Sequence, residues 1–287
     1  MSYTSPIISS IDQRFIDVPF PAEAEDTGNL CGMLPPEDHL MAFSPDYEAS
    51  QNIYQESQWP ALIAKIDASG GWLERYIREI LNQGREPSCV YAATAQATQI
   101  IQAKQHGVDK VRLLSWISGY RHNGSRTSGS SVPGAAVWME GTGLQPRNDD
   151  PLVVADIAAG FYKHAHPATG YDVAQATGWK ETAKHFRTHE WFRVTTVGAF
   201  ISALLDGWVI LGGRDGHCIC HVRPMMDGGR VISMYSNSWG AWGDSRPISG
   251  GRVVKGFGYD SRAKIQTMVS RGAWAIRSVV RPTWLTM

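Results

Sequence analysis

The chain is short of cysteine, has no long apolar run and carries no excess charge of either sign. Lys plus Arg total 27 and Asp plus Glu total 27, so no basic field would draw nucleic acid or an anionic lipid surface to it. No stretch approaches the length of a membrane span, and the start, MSYTSPIISSIDQRFIDVPF, lacks the basic segment and apolar run of a secretory signal. Neither nucleic acid nor a membrane is therefore expected as a partner. The four cysteines, Cys31, Cys89, Cys218 and Cys220, are too few for a disulfide framework, which favours a reducing compartment such as the cytoplasm. Internal repeats and long low-complexity tracts are also missing.

What is present divides into three stretches. Residues 1–32 are polar, contain Pro and show no clear periodicity, which suggests either an arm on the surface that could contact an assembly partner or a disordered tail. Residues 33–206 are expected to be mainly helical. Within them, apolar spacing from Trp59 to Leu81, broken at Ser69-Gly70-Gly71, predicts two short helices. Ser88 is placed to cap a buried, Ala-rich helix opening at Cys89. Gly119 to Gly129 reads as a Gly- and Ser-rich loop, Ala135 to Glu140 as a short helix, and Asp150 to Arg193 as mainly helical. From Gly207 to the C-terminus the runs WVILGG, HCICHV, RVISMYS and AWAIRSVV predict strands of a sheet or small barrel. The fold class is therefore α+β, with a cleft expected at the seam between a helical and a β-rich lobe.

A thiol attacks as its thiolate, and the N-terminus of a helix stabilises that anion with partial positive charge. Cys89 has this setting, although a lone cysteine opening an Ala-rich helix is more often a small core residue. Its surroundings favour chemistry. Gln83 stands six residues before it, Gly216-His217 lies far downstream, and Asn237-Ser238-Trp239-Gly240 follows. The chain resembles the papain family of cysteine peptidases, whose Gln-Gly, nucleophilic Cys, strand-opening His and Asn-Ser-Trp-Gly motifs occur here in the family's order. Gly129-Ser130, followed thirteen residues after Ser130 by Gly143-Leu144, looks like the family's substrate ledge and the helix behind it. The resemblance spans roughly residues 33 to 287.

The resemblance implies a papain-like fold with a β-barrel-like second lobe and a thiol peptidase acting on a peptide or protein without a cofactor. It makes Cys89 the nucleophile, His217 its proton partner, Asn237 the orienter of the imidazole, Gln83 part of the oxyanion hole, Gly129 and Ser130 the substrate ledge, and Trp239 a shield over the Asn–His bond. Three positions depart from the family: Val90 stands where Trp is usual, Glu86 where secreted members usually carry a disulfide cysteine, and Ser130 where the ledge has a second glycine. No inhibitory pro-segment is recognisable. Papain-like domains of this reduced kind occur in bacterial and phage genomes, so the resemblance also admits a virion or assembly component, or an amidase or acyl transferase using the same site.

Two groups invite a metal reading. In His217-Cys218-Ile219-Cys220-His221 a strand would put the histidines on one face about 13 Å apart, at ~3.3 Å per residue, and the cysteines on the other. His185 and His189 are four apart on an expected helix but lack the Glu of the metalloprotease motif. No metal site is assigned to either.

Overall fold

A computed structural model describes residues 11–18, 23–24, 29–30, 33–37, 40, 44–84, 86–123, 129–147 and 177–279. Most of the arm expected over residues 1–32, together with 148–176 of the helical stretch expected from Asp150, lies outside the described residues. Helix α1 (Trp59–Ser69) carries Pro in its first turn, where a missing N–H costs nothing, and ends on Gly70 at φ 61°. The second helix expected before Leu81 is a single 3-10 turn, Leu73–Tyr76.

Helix α2 (Cys89–His106) is buried continuously from Cys89 to Ala103, as a helix without a polar face must be. Ala at 92, 93, 95 and 97 lets neighbours approach closely, while the Thr94 and Thr98 hydroxyls donate to the Val90 and Thr94 carbonyls. Helix α3 (Trp116–Asn123) corrects the loop expected from Gly119. Gly119 sits inside this helix because the Tyr91 ring and Leu144 press against its Cα, so packing overrides its poor helix propensity. Helix α4 (Val132–Gly141) contains the expected short helix.

The β-rich part is one open antiparallel sheet. Its strands are β1 (Thr188–Val194), β2 (Val209–Arg214), β3 (His217–Asp227), β4 (Arg230–Ser236), β5 (Asp244–Pro247), β6 (Val253–Ser261) and β7 (Ala273–Val279), in the order β1-β7-β2-β3-β4-β6-β5. The two ends of that order do not pair, so the sheet does not close into the barrel that was one of the expectations. β1 corrects the helical reading of its residues. Trp191, Phe192 and Val194 are all buried, which hides the two-residue alternation that marks a half-exposed strand. It also places His189 on a strand and His185 in a 3-10 turn, not together on one helix.

Helices lie on both faces. Val209, Leu211, Cys218, Cys220, Trp274 and Ile276 face α2, whereas Ile210, Ile219, Ala273 and Ala275 pack with α5 (Val197–Leu205) and α6 (Arg262–Arg271). The sheet is thus sandwiched, and each strand residue is committed to one side.

Gly119 gives a test of this packing. A Cβ there would lie 2.4 Å from the Tyr91 ring and 2.7 Å from Leu144. Overpacking of about 1–3 kcal/mol outweighs the helix-propensity gain of about 1 kcal/mol. Gly119→Ala is expected to lower stability in urea unfolding, and a neutral or stabilised variant would show that α3 is not held against Tyr91 in this way.

Candidate active site

Two strings far apart in sequence are stitched together. Asn82 pairs antiparallel with Trp239, the Gln83 N–H donates to the Ser238 carbonyl at 2.8 Å, and the Gly240 N–H donates to the Leu81 carbonyl at 2.9 Å. Gln83 is therefore held beside the loop that carries Asn237. Its amide is oriented at both ends: Oε1 accepts from the Ser238 hydroxyl at 2.5 Å and Nε2 donates to the Glu86 carbonyl at 2.9 Å. The NH₂ group consequently lies on the side of the turn that leads into Cys89. Ser238 is a residue the sequence reading quoted but gave no role.

His217 opens β3 directly after the turn Asp215-Gly216, both of whose residues have positive φ, 55° and 75°. Such a turn matches the twist of the two strands it joins, and glycine enters it without strain. His217 Nε2 lies 2.7 Å from Asn237 Oδ1. That oxygen also accepts the Ser238 N–H at 2.7 Å, which identifies it as the carbonyl end of the amide. Since it can only accept, His217 carries its proton on Nε2 and the other ring nitrogen is the basic one. The Trp239 ring covers the imidazole, with centroids 4.6 Å apart.

Cys89 is the first residue of α2, and α2 packs on β3. Ser88 occupies the cap position but makes no side-chain cap bond, so the capping expected of its hydroxyl is not found. Cys218, next to His217, faces the helix. Burial pushes its thiol well above the ordinary range, and Cys89 adds to this. Cys89, Cys218 and Cys220 are free thiols.

The site is sealed, with Cys89, Gln83 and His217 each 0 % exposed. Part of the seal comes from the chain itself. The Met33 N–H donates to the Gly216 carbonyl at 2.7 Å and the Leu34 N–H to the Ser130 carbonyl at 2.9 Å, so residues 33–34 bridge the two walls. Met33 pairs in parallel with Ser130, and its sulfur lies where a side chain on Gly213 would be, 1.6 Å from an ideal Cβ. Gly129, at φ 94°, turns the chain into this contact. The sequence reading recognised no such segment. Its only signal is an apolar pair, Met33-Leu34, before Pro35-Pro36, which carries no motif.

Burial has an electrostatic consequence. Desolvation lowers the His217 pKa to about 4, opposed by the Asn237 bond and reinforced by Arg214. The sealed site therefore holds a neutral imidazole at pH 7, and a thiolate–imidazolium pair of Cys89 and His217 requires an opened, hydrated cleft. Among the described residues no group of His, Cys, Asp and Glu could hold a metal ion, and no helix is long and apolar enough to cross a membrane.

No family profile and no curated protein matches the chain. Solved structures do. A digestive procathepsin L2 proteinase from Tenebrio molitor larval midgut superposes with a TM-score of 0.57 at 12% identity, covering 86% of this chain and 78% of that one. A procathepsin B from Trypanosoma congolense gives 0.53 at 12%, covering 87% and 86%. Xylellain, a cysteine protease from Xylella fastidiosa, gives 0.51 at 14%, covering 96% of this chain and all of that one. The chain has the papain-like α+β fold.

If residues 33–34 guard the site, removing the Met33 side chain should expose it. Loss of about 1–1.5 kcal/mol of apolar burial multiplies an open population roughly tenfold. Met33→Gly is thus expected to speed labelling of Cys89 by iodoacetamide, followed by peptide mapping. An unchanged rate would mean that opening does not involve this segment.

Proposed function

We propose that the chain is a cysteine peptidase that hydrolyses peptide bonds through Cys89, His217 and Asn237. The observation that carries this reading is the 2.7 Å bond from His217 Nε2 to Asn237 Oδ1, under Trp239 and beside the helix that opens on Cys89. In this reading the basic ring nitrogen takes the Cys89 proton, and the thiolate attacks the substrate carbonyl. His217 then protonates the leaving amine, and water, deprotonated by His217, releases the acid from the thioester. Asn237 is neutral, so it fixes the ring without competing for its proton. The Gln83 amide and the helix N-terminus stabilise the oxyanion, and the Ser130 carbonyl, which here accepts Leu34, holds an extended substrate. The same thioester could pass to an amine, so product analysis with an added amine nucleophile separates a hydrolase from an acyl transferase.

The sealed nucleophile favours a second reading, an assembly or structural protein on this scaffold whose site is not used. Turnover decides between them. The chain with its cleft opened by Met33→Gly is expected to cleave casein, and Cys89→Ala in the same background is not. Equal cleavage by both would end the thiol mechanism, and no cleavage by either would leave the scaffold reading standing.

Gln83 offers an independent check. Loss of one oxyanion donor typically costs roughly a hundred- to a thousand-fold in kcat, whereas alkylation creates no oxyanion. A folded Gln83→Ala variant is expected to lose kcat to that extent while Cys89 alkylates at a near-normal rate. Near-normal kcat would assign Gln83 to bracing the loop alone.

A further inference from the structure

Behind His217, on the face of the sheet away from α2, lies a sealed polar cluster. Arg214, the last residue of β2, is the cross-strand partner of His217. Its Nε donates to Asp260 Oδ1 at 2.9 Å, one Nη to Asp215 Oδ2 at 2.9 Å and the other to the Tyr235 hydroxyl at 3.5 Å. The side chains of Arg214 and Asp260 are 1 % and 0 % exposed. His221 completes the group, with Nδ1 at 2.9 Å from the Ser233 hydroxyl and Nε2 at 3.7 Å from Asp260 Oδ2.

A buried ion pair recovers little of its desolvation cost, so its presence next to a reactive histidine asks for a reason. Two follow from the contacts. The guanidinium ties down Asp215, which has φ 55° and precedes His217 by two residues, so it fixes the turn that aims the ring. It also places a positive charge on the same sheet face as the imidazole, with Asp260 as the countercharge beyond it.

We infer that Arg214 and Asp260 are positioning residues of the proposed site, an ion pair whose net field sets the pH range over which the Cys89–His217 pair works. The inference rests on the thiol-peptidase reading. The groups acting on His217 are Arg214 from β2 and the neutral Asn237 after β4. Those facing Asp260 are Arg214, His221 from β3, Tyr235 from β4, Lys264 from α6 and Asp17. Burial raises the Asp260 pKa to about 7, with Arg214 opposing, so the countercharge itself weakens below neutrality.

The signs are definite. An unbalanced Arg214 charge favours the thiolate and disfavours the imidazolium, which moves both limbs of the activity profile to lower pH. Loss of Arg214 moves both to higher pH. Each shift should be about half to one pH unit, less than a charge in direct contact produces.

The experiment is iodoacetamide labelling of Cys89 and peptide hydrolysis from pH 4 to 9 in the full chain carrying Met33→Gly, which serves as the wild-type reference, for Asp260→Asn, Arg214→Gln, the double variant and His217→Ala. Opposite displacements of the alkaline limb in the two single variants are expected, and the acid limb should move in Arg214→Gln alone, because Asp260 is already protonated there. The double variant, which replaces the ion pair with a neutral amide pair, should stay folded and lie above Asp260→Asn. An alkaline limb that does not move, or that moves the same way in the two single variants, overturns the inference, because a merely structural pair would lower rates without opposite shifts. His217→Ala separates the two levels: if it leaves the wild-type labelling profile unchanged, the Cys–His reading itself fails. If it abolishes acid-side reactivity while the Arg214 and Asp260 variants match wild type, only this inference does.

Discussion

The organisation of the site depends on one backbone pairing, the short antiparallel contact of residues 81–83 with 238–240. Cys89 and Gln83 belong to the helical part of the chain and His217 and Asn237 to the sheet. Without a fixed join, their separation would vary with every slide of α2 over β3. Main-chain bonds are directional to a fraction of an ångström, whereas the Ala-rich contact of α2 with β3 is smooth. The pairing supplies the registration that apolar packing alone lacks. The Ser238 hydroxyl on the Gln83 amide extends the same join to a side chain.

Burial and charge work against each other here. Complete exclusion of water strengthens the His217–Asn237 bond and keeps the ring under Trp239 in one orientation. It also makes an imidazolium expensive, which is why His217 is neutral near pH 7 in the closed arrangement. In the proposed peptidase, closure by Met33 and Leu34 would limit reactivity twice, by excluding substrate and by removing the solvent that a charged pair needs.

The sequence was legible where chemistry is local. Strands following Gly207, the long buried helix from Cys89 and the strings around Gln83, His217 and Asn237 follow from composition, capping position and motif order. Less was legible where long-range packing decides. β1 pairs with β7, whose residues come some eighty positions later, and its two buried faces erase alternation. β5 and β6, with Asp, Pro, Lys and two glycines, also carry little strand signal, yet they complete the sheet. Gly119 was read as a loop marker although it serves close packing inside a helix. Met33 could not be found at all, because a residue that fills the space above a glycine leaves no pattern in its own neighbourhood.

Register explains why the two faces of the sheet can serve different ends at the same place. Gly212 leaves room for Met268 of α6 and Gly213 leaves room for Met33 on the opposite side, so neighbouring glycines open the sheet in both directions. Arg214 then falls on the Gly212 side, and the two-residue turn returns the chain so that His217 stands opposite Arg214. The next residue, Cys218, faces α2 and Cys89. Inserting or deleting one residue in this turn would exchange those sides. A thiol would then replace the imidazole beside Asn237, and the histidine would be driven against the Ala-rich surface of α2, away from Asn237. The tight turn at Asp215-Gly216 is therefore as much a determinant of the proposed chemistry as the side chains it presents.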